Sequence, residues 1–122
     1  MSDLNETGLA LAWIDDAEFE RLVLDRGERT RMTVVLFCRA GSPEGDQAAE
    51  VLAEAAGAAD EAFMVDVAAA SSQAIIRRFV IGPVPLLMLF LGGTFRAIFE
   101  QPKLTSGMVE QWIESHTPAQ SA

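Results

Sequence analysis

The spacing of apolar and polar positions changes several times along the chain, and each change marks an element. Leu9, Leu11 and Trp13 alternate with alanines and predict a short first strand. Asp15 or Asp16 then caps a helix in which Phe19, Leu22 and Val23 recur at helical spacing, with Gly27 to end it. Met32 to Cys38 is apolar and β-branched almost throughout, the mark of a strand covered on both faces. Ser42 caps the next helix and Pro43 takes its first position; Ala48, Val51, Leu52 and Ala55 form the inward stripe, and Gly57 closes it. Ala62 to Val67 reads as a third strand. Ser71 or Ser72 opens a helix through Ile75, Ile76 and Phe79, with Arg77 and Arg78 facing outwards.

After Gly82-Pro83-Val84-Pro85 come Leu86 to Leu91, a turn at Gly92-Gly93, and Thr94 to Glu100, a hairpin pattern. A last helix covers Thr105 to Ser115 and buries Met108, Val109, Trp112 and Ile113; Trp13 reads as core or partial core. The predicted order is β-α-β-α-β-α-β-β-α. Strand–helix alternation argues for a parallel sheet flanked by helices, and the late hairpin adds an antiparallel edge.

At 122 residues the chain is the size of one domain. That domain is expected over 8–116, between flexible ends at 1–7 and 117–122. Half of the residues are hydrophobic, which excludes a disordered chain. The net charge of -9 repels phosphate backbones and anionic lipid, so nucleic acid and membrane surfaces are poor partners and a basic peptide is a good one. The same acidity also serves solubility alone. The start, Met1 to Glu6, is acidic and polar, unlike an export signal, and the apolar run Ile81 to Leu91 is too short to span a bilayer; the expectation is a cytoplasmic protein. A single cysteine, Cys38, permits no internal disulfide.

Two segments carry a resemblance. Thr33 to Phe37 leading into a helix, and Phe79 to Gly93 with Pro85 ahead of an apolar strand and a glycine turn, resemble the two halves of a thioredoxin active site. The likeness extends over nearly the whole chain. It implies a thioredoxin-like α/β fold: a three-layer sandwich whose mixed sheet has parallel core strands and a C-terminal antiparallel hairpin, flanked by helices. It also implies a cis peptide bond before Pro85. Where the Cys-x-x-Cys belongs, however, this chain has Ser42-Pro43-Glu44-Gly45, and Leu36 stands where thioredoxins keep a buried carboxylate. Disulfide exchange needs an attacking thiolate and a resolving thiol. Ser42 and Gly45 supply neither, so the chain is expected not to be an enzyme.

A narrower resemblance rests on Arg78-Phe79, on Pro85 to Arg96 with its Gly-Gly-Thr-Phe-Arg ending, and on Trp13-Ile14-Asp15-Asp16 before a helix. These are similar to the thioredoxin-like hydrogenase expression/formation proteins of the HyaE/HupG/HoxO type. That resemblance implies a non-catalytic chaperone for an uptake [NiFe] hydrogenase. Its partner would be the hydrogenase small-subunit precursor with its twin-arginine signal peptide, alongside other maturation factors. A redox-inactive thioredoxin-like adaptor or holdase in another pathway is the alternative, and an enzyme using one cysteine a third reading.

The expected groove is formed by Gly41, Ser42, Pro43 and Gly45, the backbone at Val84 and Pro85, and the Gly92-Gly93 turn. In thioredoxin relatives a peptide lies extended beside the cis-proline and bonds to the preceding residue, here Val84. The plainer reading is that Pro85 only shapes its loop. Glu44, Asp46, Glu50 and Glu54 form either an acidic binding face or a solvated one. Cys38 has no second cysteine, and the only histidine, His116, lies near the end, so Cys38 is expected to be packed and inert. No metal or cofactor is expected. The exposed edge or groove suits a monomer and a weak dimer alike.

Overall fold

The computed structural model describes residues 11–25, 31–100 and 103–117. Expectations for 1–7, Leu9, Gly27 and 118–122 lie outside the described residues.

The predicted element order is realised. Strand β2 (Met32–Cys38) is buried along its whole length. Side chains alternate across a strand, so Met32, Val34, Leu36 and Cys38 enter one apolar cluster while Val35 and Phe37 enter the other. Helices α2 (Pro43–Ala55) and α4 (Ser106–Ser115) cover the first face through Ala48, Leu52, Val109 and Ile113. The second face is covered by α1 (Asp16–Phe19, continued by a π-helical turn Glu20–Leu24) and α3 (Gln73–Arg78), through Phe19, Val23 and Ile75. Three layers result.

The five-stranded sheet has the order β1-β3-β2-β4-β5. Here β1 is Ala12–Trp13, β3 Glu61–Asp66, β4 Leu86–Leu91 and β5 Thr94–Phe99. β1, β3 and β2 run parallel, and β4 and β5 are antiparallel.

Several local expectations change. β1 is two residues long and exposed, and Trp13 is 46% exposed rather than core. Met108 and Trp112 are half-buried; Trp112 stacks on Phe99 with ring centres 5.1 Å apart. Asp15 caps α1 in a reciprocal box: its carboxylate accepts from the Glu18 amide at 2.9 Å, and the Glu18 carboxylate accepts from the Asp15 amide at 3.0 Å. Neither Ser71 nor Ser72 caps α3. Asp16 does so from across the molecule, accepting from the amides of Ala74 and Ile75 at 3.1 and 3.0 Å.

The far end of α3 closes in a Schellman turn. The Ile81 amide donates to the Ile76 carbonyl at 3.0 Å and the Val80 amide to that of Arg77 at 3.3 Å. This turn requires a left-handed residue, usually glycine, and Val80 holds that place at φ 52°. For an L side chain the conformation costs about 1–2 kcal/mol.

The hairpin turn has Gly92 at φ 59° and Gly93 at φ 86°. A Cβ on Gly93 would collide with the Leu24 carbonyl oxygen, so both conformation and space demand glycine there.

Candidate functional site

The loop Arg39–Gly41 turns the chain from β2 into α2. Gly41 takes a left-handed φ of 85°. The Ser42 hydroxyl donates to the Arg39 carbonyl and accepts from the Gly45 amide, both at 2.9 Å. It is therefore fully engaged as the helix cap, with Pro43 in the first turn behind it. Facing this loop, the Val84–Pro85 peptide bond is cis.

Between them lies an open cleft of about 320 Å³. Cys38, Arg39, Ser42 and Glu44 line one part of it, Gly82 to Pro85 another, and Val67 completes it. The cleft sits at the carboxyl ends of the parallel strands, where open α/β sheets leave room for ligands. Among the described residues the Val84 amide and carbonyl make no hydrogen bond. A half-buried residue with open donor and acceptor groups, just ahead of a strand, is what a strand-like peptide needs for pairing.

The structure thus brings Ser42 together with Val84 and Pro85, and adds Glu44. Pro43 is exposed, Gly41 forms the turn and Gly45 is buried behind Ser42; none of these three lines the cleft. The Gly92-Gly93 turn does not belong to it. β4 starts beside Phe37 at the carboxyl end of β2 and runs antiparallel, so Leu91 pairs with Met32 at the other end. Its six residues carry the turn roughly 20 Å away. There the Gly92 amide donates to the Arg31 carbonyl at 2.8 Å.

Glu44, Asp46, Glu50 and Glu54 are all exposed on α2. Only Glu44 reaches the cleft; the other three step away along the helix at about 6 Å per four residues. Cys38, Arg39 and Val67 also line the cleft, although sequence reasoning does not assign them to it. Their signal is topological: Cys38 and Val67 end neighbouring parallel strands, joined by the Val67 amide donating to the Cys38 carbonyl at 2.9 Å.

A second depression of about 380 Å³ adjoins the same strand ends, with Trp13, Asp15, Glu18 and Asp66 among its lining residues. Asp66 is fixed by accepting from the Ala40 amide at 3.2 Å and the Ala68 amide at 3.0 Å.

Two nucleophilic side chains line the cleft, the Ser42 hydroxyl and the Cys38 thiol. The Ser42 hydroxyl has no histidine among the cleft residues to take its proton. His116 caps the end of α4, its ring edge-on to Trp112 at 5.9 Å. Among the described residues no group of three His, Cys, Asp or Glu side chains is placed to hold a metal ion. Cys38 is 1% exposed. Burial, reinforced by the charges of Asp66 and then Asp46, pushes its thiol from the ordinary 9.0 up to about 11. Its thiolate fraction at neutral pH is then about a hundredfold below that of a free cysteine. Iodoacetamide is accordingly expected to modify native Cys38 at least about a hundredfold more slowly than the urea-unfolded chain. Equal rates would contradict the burial.

No family model and no curated protein matches the chain. Solved structures do. A mutant thioredoxin from Halobacterium salinarum NRC-1 superposes with a TM-score of 0.71 at 18% identity, covering 93% of this chain and 100% of that one. Thioredoxin O2 from Arabidopsis thaliana, in its oxidized state, gives 0.70 at 19% identity over 88% and 95%. The fold is therefore thioredoxin-like, a mixed five-stranded sheet with parallel core strands, antiparallel C-terminal strands and flanking helices. At this identity the likeness carries the fold alone. Among the described residues no helix is long and apolar enough to cross a membrane.

Proposed function

We propose that this protein binds polypeptide without chemistry, as a cytoplasmic chaperone in maturation of an uptake [NiFe] hydrogenase. Its client is the small-subunit precursor with its twin-arginine signal peptide. The single observation that carries the binding role is the open Val84 backbone, beside the cis bond to Pro85 and facing a Ser42 already committed to capping. Main-chain pairing there supplies affinity and needs no thiol. The hydrogenase client rests on the sequence resemblance through Arg78-Phe79 and Pro85 to Arg96.

Charge supports a basic partner. The protein carries a net charge of -9, and Glu44 stands at the cleft. In the adjoining depression Asp15, Glu18 and Asp66 surround the half-exposed Trp13. Carboxylates hold guanidinium groups, and an indole face attracts cations.

The purified protein is expected to retain the small-subunit precursor in low salt, to retain less as salt rises, and to lose most of it when the signal peptide is deleted. Glu44→Lys should weaken retention more than the combined Asp46→Lys, Glu50→Lys and Glu54→Lys, because only Glu44 lines the cleft. No retention in low salt would overturn the chaperone reading. A larger effect from the triple variant would move the contact to the outer helix face.

A further inference from the structure

Val80 is the most exposed large apolar residue among those described, at 84%, and its φ is the only positive one among the described non-glycine residues. The turn accounts for the positive φ, but neither for a valine in that conformation nor for its exposure. The Schellman turn at the end of α3 asks for a residue without a Cβ, and a side chain so exposed gives little packing in return. Glycine would serve the fold better.

The position explains what the fold does not. Val80 is separated only by Ile81 from Gly82, where the wall of the cleft begins, and that wall continues through Val84 with its open backbone. The left-handed turn ends the helix and starts the irregular segment that leads to β4, leaving an apolar side chain in water beside it. A left-handed backbone held by a β-branched side chain beside a cleft is the kind of strain that gathers at binding sites. Resting on the reading of this cleft as a polypeptide site, we propose that Val80 anchors an apolar, extended stretch of the bound chain, one that follows the client's basic residues. The open Val84 amide and carbonyl fit an extended backbone, while Glu44 offers a carboxylate to its basic end.

The test pairs stability with affinity, because the two should move in opposite directions. The probe is a fluorescent peptide with two arginines followed by a leucine- and alanine-rich stretch. A second peptide replaces that stretch with serine and glycine. Val80→Gly is expected to raise Tm by about 2–5 °C. It should also weaken binding of the apolar peptide roughly five- to tenfold. Val80→Asn, which tolerates the left-handed turn without glycine's flexibility, should weaken it similarly. Val80→Ile should bind within about twofold of wild type, and the serine–glycine peptide should not distinguish the variants. Unchanged affinity in Val80→Gly and Val80→Asn, with wild type still binding, would overturn this role for Val80 and leave the cleft reading intact. Wild type binding neither the apolar peptide nor the precursor would overturn both.

Discussion

Leu36→Asp is expected to lower the stability of this protein by about 3–5 kcal/mol, a large part of the roughly 5–15 kcal/mol typical of a domain. Leu36 is 0% exposed at the centre of β2, between Met64 on one neighbouring strand and Leu87 on the other. The buried side chains clustered with it are apolar apart from the Cys38 thiol, so a carboxylate there would lose its hydration. By resemblance this is where redox-active thioredoxins carry their buried acid. In this site an introduced acid would carry a desolvation cost.

The pH dependence identifies the charge as the cause. Burial would raise the folded-state pKa of the introduced carboxyl above its unfolded value of about 3.9. The folded state then binds the proton more tightly, and stability falls as pH rises. The deficit relative to wild type should be smallest below about pH 4 and should grow until the folded pKa is passed. Leu36→Asn, of the same shape as the acid but uncharged, should show a deficit that does not change with pH. Urea unfolding of the three proteins across acidic and neutral pH measures this. A deficit in Leu36→Asp as flat as that of Leu36→Asn would mean the site admits water.

How far the sequence reveals the fold depends on whether each signal is local. β2 is legible because six of its seven residues are apolar, and the run is short and rich in β-branched side chains, as in a strand covered on both faces. The start of α2 is legible because Ser42 and Pro43 act within their own turn. The capping of α3 is not, since Asp16 and Ala74 are 58 residues apart. β1 is legible as a short strand from the alternation of Leu11 and Trp13, but its exposure is not, because both its residues lie at the surface and pair only with Phe63 and Met64. Val80 disguises its turn, because the usual glycine signal is missing.

The site shows the same division. Ser42, Val84 and Pro85 converge because each follows or precedes a strand end at the same edge of the sheet. Gly92 and Gly93 follow Pro85 closely in sequence, yet an antiparallel strand takes them to the opposite edge. Sequence proximity misleads wherever a whole strand intervenes. Cys38 and Val67 are obscured for a related reason, since a buried strand end gives no sign that a cleft opens just beyond it.

Cysteines placed at 42 and 45 should form a disulfide, although one of the two positions does not accept a side chain alone. A Cβ built on Gly45 lies 2.8 Å from the Ser42 Oγ, 3.0 Å from the Arg39 carbonyl oxygen and 3.2 Å from the Cys38 Cβ. Gly45→Ala is therefore expected to cost about 1–2 kcal/mol, through the disturbed cap and the crowded backbone. At an open helical position the same change would stabilise by about 0.5–1 kcal/mol. The contact that excludes alanine suits a bonded sulfur. An S–S bond of about 2.04 Å places the distant sulfur roughly 3 Å from the Cβ, close to where the Ser42 oxygen now sits.

In a Cys38→Ala background, which removes the competing thiol whose Cβ lies 3.2 Å away, Ser42→Cys with Gly45→Cys should oxidise to a form about 2 Da lighter with no free thiol. Insulin reduction should rise from the uncatalysed rate of wild type to a measurable one. It should remain slow, because Leu36 offers no carboxylate to pass a proton. Two persistent free thiols under oxidising conditions would show that the α2 entrance does not have the geometry for a disulfide. Insulin reduction by the wild-type protein would overturn the expectation of a binding role without chemistry, which rests on Ser42 held by two hydrogen bonds and on a Cys38 thiol pushed up to about 11 by burial.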